Sequence, residues 1–92
     1  MKQTYFLGGL REGETARVEQ VASGGMGRRL LDLGLTEGTW VTCVQKAPSG
    51  DPSAYLIRGA VVALRRTDAN QVVTGPARAA DRAVPAGSAV WD

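Results

Sequence analysis

A glycine-rich stretch followed by two arginines is the first candidate for chemistry in this sequence. Gly24, Gly25 and Gly27 precede Arg28 and Arg29, and a helix N-terminus with basic side chains can hold a phosphate group. A Walker loop requires a lysine followed by serine or threonine, and the dinucleotide fingerprint requires three differently spaced glycines within a β-α-β unit. Neither pattern is present. We therefore interpret the cluster as a flexible connection into a short helix, with weak anion binding as the alternative.

Residue types for acid-base catalysis or soft-metal binding are scarce. The 92-residue chain has no histidine and one cysteine, Cys43, which cannot supply the ligands typical of a zinc or ferrous centre. No pair of a nucleophile and a base is evident. Glu12, Glu14 and Glu19 offer oxygen ligands, but a solvated acidic surface is the favoured interpretation. We expect no catalytic residue, no metal ligand and no cofactor, and we expect Cys43 to be a small core residue.

Composition and charge restrict the class of protein further. Eleven basic and nine acidic residues give a formal net charge of +2, which is too weak a bias to indicate nucleic-acid binding. A single cysteine excludes an intrachain disulfide, and no apolar run approaches the roughly 18 residues of a membrane span. The start of the chain is too short and polar for a signal peptide. These features predict a cytoplasmic protein.

Short segments separated by glycine, proline and small polar residues are typical of a small β structure. Alternating side chains and β-forming residues predict five strands: residues 15–19, 39–47, 55–58, 61–65 and 71–74. Val21 falls out of phase with the first of them, which indicates a bulge or a strand end near Gln20. A single helical turn is expected over residues 68–70, with Thr67 as its cap.

An amphipathic helix of two to three turns is predicted between the first two of these strands. Apolar side chains recur on one of its faces at i, i+4 and i+7: Met26, Leu30 and Leu33. Ser23 is the expected N-cap. Gly34 is expected to end the helix in a left-handed conformation, with Leu35 in contact with Leu30.

These elements predict a mainly β fold, a small, strongly bent antiparallel barrel of about five strands with one short helix at one end. Residues 1–75 are expected to form the barrel domain. Residues 76–92 are rich in alanine and proline and have no clear period, so we expect a flexible tail outside the core. Trp91 lies in this tail and receives no role.

The outer face of the predicted sheet carries apolar side chains. If alternate residues fill the core, three large side chains point outward: Trp40, Leu56 and Val61. Exposed apolar surface often marks a protein contact, and tryptophan is a frequent anchor. We predict that these three residues bind a partner, with Arg28 and Arg29 at the rim of the surface. The alternative is that the N-terminal segment or the tail covers Trp40.

Three sequence stretches together resemble the FeoA family of small SH3-like barrels. They are "LLDLGLTEGTWV" at residues 30–41, "APSGDP" at 47–52 and "IRGAVVALRR" at 57–66, within a resemblance that spans residues 7–74. The resemblance implies an SH3-like barrel with no catalytic centre. It also implies an accessory protein of the FeoB-type ferrous-iron transporter that contacts the cytoplasmic GTPase region and meets the membrane only through the transporter.

Other functions stay open at this point. The resemblance also extends to the terminal domain of iron-dependent repressors, in which a helix-turn-helix precedes the barrel; we expect 92 residues to be too few to include both. A nucleic-acid-binding barrel would use Arg17, Arg58, Arg65 and Arg66, but few surface aromatic residues are available for base stacking, so we expect no nucleic-acid partner. A metal-responsive regulator lacks the expected ligands. Self-association through the surface around Trp40 is a further expectation.

Overall fold

The computed structural model describes residues 3–22 and 25–80. Its strands are β1 (Tyr5–Phe6), β2 (Glu14–Val21), β3 (Trp40–Lys46), β4 (Ser53–Ile57), β5 (Ala60–Leu64), β6 (Val72–Thr74) and β7 (Arg78–Ala79). Its helices are α1 (Gly25–Asp32) and α2 (Arg66–Ala69), with a 3-10 turn at Leu7–Gly9. Within these described ranges, no helix has the length and apolar character that crossing a membrane requires.

The strands form one bent antiparallel sheet in the order β1-β6-β2-β3-β4-β5, with β7 paired to β2. Strand β2 produces the bend because its first half pairs with β3 and its second half pairs with β6. The register of β2 against β6 shifts between Val18 and Gln20, which confirms the irregularity expected near Gln20.

Two parts of the predicted fold are wrong. Strands β1 and β5 stand at the two ends of the sheet and are not paired with each other in the described residues, so the sheet is not a closed barrel of about five strands. The helix α1 joins β2 to β3 rather than the first two strands, because β1 precedes them and pairs with β6. A strand of two residues is too short to show an alternating pattern, so the sequence did not reveal it.

The core lies inside the bend of the sheet and beneath α1. Its largest buried side chains include Leu7, Leu10, Leu30, Leu35 and Tyr55. Alternate residues of the central strands face inward as predicted: Ala16, Val18, Val41, Cys43, Tyr55, Ile57 and Leu64. Burying each large aliphatic side chain stabilises the fold by roughly 1.5–3 kcal/mol.

Helix α1 ends as the sequence predicts. Gly34 has a φ of +101°, its N–H donates to the Leu31 carbonyl at 2.9 Å, and the Leu35 N–H donates to the Leu30 carbonyl at 3.1 Å. This pair of bonds is a Schellman motif, and it turns Leu35 back into the core beside Leu30. The expected N-cap, Ser23, lies outside the described residues.

The glycines of α1 differ in their surroundings. Gly27 is buried, and a Cβ added there would overlap the backbone oxygen of Ala22, whereas a Cβ at Gly25 would meet no atom within 4 Å. Gly27 is therefore a close-packing residue that brings α1 against the end of β2, rather than part of a flexible connection.

The end of the described chain adds two short elements. Helix α2 begins at Arg66, so Thr67 lies inside it and does not cap it, contrary to our expectation. Strand β7 pairs with β2, with Ala79 opposite Glu14 and Arg78 opposite Thr15. The domain boundary expected after residue 75 stays a prediction, and Trp91 lies outside the described residues.

Candidate functional site

The candidate site is the outer face of the sheet. Trp40, Leu56 and Val61, together called the outer patch, are 47%, 39% and 51% exposed. Leu56 lies directly opposite Val61 on one side and Thr42 on the other, and Trp40 is two residues before Thr42. Because residues two apart on a strand share a face, the three apolar side chains project from the same side of neighbouring strands.

A cross-strand row supports the outer patch. Thr15 of β2 lies opposite Thr42 of β3 and opposite Arg78 of β7. The Thr42 hydroxyl donates to the Thr15 hydroxyl at 3.2 Å, and that hydroxyl donates to the Val41 carbonyl at 3.0 Å. Between Arg78 and Val61, this row contains only Thr15, Thr42 and Leu56. The centre of the surface therefore carries apolar side chains and hydroxyl groups but no charge.

Arg78 lies over the indole ring of Trp40, with its guanidinium carbon 4.4 Å from the ring centroid. A cation–π contact of this kind is worth roughly 0.5–1 kcal/mol at an exposed position. The sequence did not reveal this pair because Arg78 lies in the segment expected to be a tail, and only the pairing of β7 with β2 brings it near. Arg78 lies over one part of the Trp40 side chain, and the residue stays 47% exposed, so the alternative that the tail or the N-terminal segment covers Trp40 stays open.

Two more arginines lie beside Trp40. Arg17 is its cross-strand partner on β2, and the Arg17 Nε donates to the Gly38 carbonyl at 3.3 Å. Arg58 has a φ of +48°, and its side chain donates to oxygens of the preceding loop, all between 3.0 and 3.3 Å away: Gly34 O, Thr36 Oγ1 and Thr39 Oγ1. These bonds fix both guanidinium groups next to Trp40. A shallow depression of about 420 Å³ lies there, lined by Glu37, Gly38, Thr39, Trp40 and Arg58.

Four other arginines within residues 3–22 and 25–80 are not part of this group: Arg28, Arg29, Arg65 and Arg66. Arg29 lines a second groove, beside β5 and α2, and Arg28 is exposed on α1. Arg65 and Arg66 lie just after the C-terminal end of β5, where Leu64 pairs with Ser53. Arg58 lies just before the N-terminal end of β5. The four arginines considered for nucleic-acid binding are therefore divided between two ends of the strand rather than arranged as one stripe. The rim position of Arg28 and Arg29 stays a prediction.

The buried ionisable groups are placed in the core rather than in a reactive pocket. Burial raises the pKa of the Cys43 thiol, with smaller opposing effects from nearby charges such as Lys46. Burial also raises the pKa of Tyr55 to about 12, and a hydrogen bond with Ser53 offsets part of this effect. Both groups are neutral near pH 7, when each contributes to the core as an uncharged side chain.

Two of the carboxylates considered as metal ligands have structural partners. Glu12 Oε1 accepts the Lys46 backbone N–H at 2.7 Å, and Glu14 Oε1 accepts the Arg11 backbone N–H at 2.7 Å. In residues 3–22 and 25–80, no group of three or more histidine, cysteine, aspartate or glutamate side chains could hold a metal ion. Through these hydrogen bonds, the two glutamates fix the loop before β2 against strands β2 and β3.

The FeoA domain model matches residues 7–74 of this chain. The chain belongs to the FeoA family. One relative of this FeoA domain is the Fe(2+) transport protein A/Fe(2+) transporter FeoB fusion protein of Porphyromonas gingivalis. It is 39% identical over 67 residues, which cover 72% of this chain and 8% of the fusion protein. The FeoA domain thus spans a small fraction of that relative.

Solved structures share the fold. The FeoA-like protein of Clostridium acetobutylicum has a TM-score of 0.74 at 26% identity, covering 82% of this chain and 88% of its own. FeoA of Stenotrophomonas maltophilia, solved with zinc and described as a prokaryotic SH3 domain protein, has a TM-score of 0.69 at 32% identity and coverages of 80% and 91%. The mainly β, SH3-like architecture is therefore confirmed. A manganese-dependent transcriptional repressor matches with a TM-score of 0.71 at 17% identity over 82% of this chain and 42% of its own, which shows a shared fold alone.

Proposed function

We propose that this chain is a non-enzymatic accessory protein of ferrous-iron uptake. It acts in the cytoplasm, where it binds the cytoplasmic region of a FeoB-type membrane GTPase transporter and changes the activity or assembly of that transporter. The observation that carries the proposal is the relative in which a FeoA part and a FeoB transporter form one polypeptide. Fusion gives two binding partners a high effective concentration, so it is consistent with two proteins that work in contact.

The outer patch is the proposed contact surface. Trp40 supplies a large amphipathic anchor, and Leu56 and Val61 extend its apolar area across two more strands. The Arg78 contact restricts the indole ring, which lowers the conformational entropy lost when a partner packs against it. Arg28 and Arg29 are proposed to lie at the rim, where exposed charges mainly change the rate of association and its salt dependence.

The proposed mechanism is a shift between transporter states. A bound accessory protein changes the population of a state only if it binds that state more tightly than the others. An apolar patch on a rigid sheet suits this role because it fits one shape of the partner better than another. The protein itself needs no catalytic group to act in this way.

Binding to the isolated cytoplasmic region of a FeoB-type transporter tests the proposal. We expect Trp40→Ala to weaken binding by at least about tenfold, because truncating a central aromatic anchor typically costs more than 1 kcal/mol. Phe6→Ala is the matched control, since Phe6 is an aromatic residue of similar exposure, 43%, on strand β1 at the other end of the sheet. Equal binding by Trp40→Ala and wild type would exclude the outer patch. Absence of binding by the wild type would exclude the function.

A second candidate function is nucleic-acid binding, favoured by one observation. Trp40 lies among three arginines, Arg17, Arg58 and Arg78, and single-stranded nucleic acids bind surfaces that combine aromatic rings with cations. Fluorescence anisotropy with a single-stranded RNA, measured at low and high salt, separates the two functions. We expect no saturable, salt-dependent binding of the RNA at physiological ionic strength.

Self-association through the outer patch is a separate proposal. Sedimentation at several protein concentrations measures it directly. Dimers that form in the wild type and are lost in Trp40→Ala would support it, whereas a monomer at all concentrations would exclude it.

A further inference from the structure

The edge of β5 presents free backbone groups. Arg58 and Gly59 form a two-residue turn with φ values of +48° and +84°, so the flanking pair Ile57–Ala60 is a hydrogen-bonded pair of the hairpin. Alternation along the ladder then directs the N–H and C=O groups of Ala60, Val62 and Leu64 toward β4. The same groups of Val61 and Ala63 point away from β4, where β5 pairs with no other strand of residues 3–22 and 25–80.

A groove with an apolar floor lies beside this edge. Partly buried side chains of α1, of the residue directly after it and of β5 pack on the core there: Met26, Leu33 and Val62. The groove has a volume of about 450 Å³ and continues along β5 to the first turn of α2. An added strand would place alternate side chains on this floor and the others toward solvent.

The charged side chains of the groove are mainly basic. Arg29 of α1 and Arg65, directly after β5, line it, and Asp68 of α2 is the acidic residue. Neither arginine forms an ion pair or a side-chain hydrogen bond with another described residue. Two cations against one carboxylate favour an acidic occupant.

We propose that the β5 edge binds an extended acidic peptide segment of another protein, which adds to the sheet as a further strand. Its backbone pairs with Val61 and Ala63, its apolar side chains contact the groove floor, and its carboxylates face Arg29 and Arg65. This is β-strand addition, in which main-chain hydrogen bonds supply affinity and alternate side chains supply specificity. The site uses a backbone edge rather than the outer patch, so it goes beyond the proposed function and does not depend on it.

An NMR titration of the full chain tests the proposal without any transporter present. The probe is a blocked synthetic hexapeptide of alternating glutamate and valine, and the control is the same peptide with lysine in place of glutamate. We expect shift changes along β5 and α1, and hydrogen exchange of the Val61 and Ala63 amides slowed at least about tenfold, because these N–H groups gain a partner. The Val62 amide already bonds to β4 and should change less.

Variants at Ala63 identify the backbone contact. Ala63→Pro removes an outward N–H while leaving the ladder to β4 intact, and edge strands accept proline at such positions. We expect peptide binding about tenfold weaker in Ala63→Pro and close to wild type in Ala63→Thr, which keeps the N–H. If the proline variant does not fold, the glutamate–valine peptide methylated on alternate backbone nitrogens removes the complementary bonds, in which peptide N–H groups donate to the outward carbonyls of Val61 and Ala63.

Four results would overturn the proposal. They are no shift changes at β5, equal binding of the lysine peptide, unchanged binding by Ala63→Pro or by the methylated peptide, and a concentration-dependent dimer that occupies β5. Because the assay contains only this chain and a peptide, its failure leaves the transporter-binding test unaffected. Equally, a protein that does not bind the transporter can still give the expected peptide result.

Discussion

Two glycines of one helix should respond in opposite directions to the same substitution. Gly25 and Gly27 both lie in α1, but only Gly27 is buried against the backbone oxygen of Ala22. Alanine is the better helix former by roughly 1 kcal/mol, and less at the first helical position, where Gly25 lies. Gly25→Ala, which meets no neighbouring atom within 4 Å, should therefore stabilise the protein by about 0.5 kcal/mol.

Gly27→Ala also gains the higher helix propensity of alanine, but it requires a movement of the backbone. The contact atom is the carbonyl oxygen of Ala22, directly after β2, rather than the tip of a flexible side chain, so α1 must shift away from this segment. Overpacking of this kind costs about 1–3 kcal/mol, and moving α1 also disturbs the buried Leu30. We expect a net loss of roughly 1–2 kcal/mol, which lowers the melting temperature by about 4–16 °C in a domain of this size.

Thermal and urea unfolding of the wild type and both variants measure these values. Gly25→Ala is the matched control, because it makes the same chemical change two residues away in the same helix. Gly27→Ala as stable as Gly25→Ala would refute the close packing of α1 on β2. It would also restore the interpretation of the glycine cluster as a flexible connection.

Three further predictions concern a turn and two buried groups. Gly34→Ala should destabilise the fold more than Gly13→Ala in urea unfolding, because both have positive φ but only a Cβ at Gly34 meets side chains, the nearest at 3.0 Å; equal losses would contradict this. Cys43 should react with a thiol reagent at least about 100-fold more slowly in the native protein than in urea, since burial raises the pKa of the thiol and blocks access, and equal rates would show an accessible thiol. The pKa of Tyr55 is higher when folded, so its contribution is fully present below pH 10 and is lost as the pH rises toward 12. Urea unfolding between pH 8 and about 11 should show this loss in wild type but not in Tyr55→Phe, and parallel pH dependence would contradict it.

Local sequence patterns predict those features of the fold that depend on residues close together in the sequence. The alternation around Val41 and Ile57 predicts which side chains face the core, and Gly34 predicts the helix end because few other residues adopt its conformation. The exposure of Trp40 and Val61 follows from the same alternation. These features depend on neighbouring residues, so a single sequence contains enough information for them.

Features that depend on distant pairings are not visible in the sequence. Strands β1 and β7 have two residues each, and each exists only because a partner strand is already in place. The contact of Arg78 with Trp40 follows from one of these pairings, so local patterns give no sign of Arg78, while they predict Arg28 and Arg29 at the rim of the patch. The open edge at β5 has the same origin, because closure depends on the arrangement of the whole sheet.

The open edge and the outer patch place different demands on a partner. Val61 belongs to both, since its side chain projects from the outer face while its N–H and C=O point from the edge. A partner that packs on the outer patch contacts side chains, so its affinity falls in Trp40→Ala and is unchanged in Ala63→Pro. A partner that adds a strand forms hydrogen bonds with the backbone, so its affinity falls in Ala63→Pro. A transporter segment that loses affinity in both variants would therefore have to continue from the face of the sheet around its edge, with Val61 at the corner.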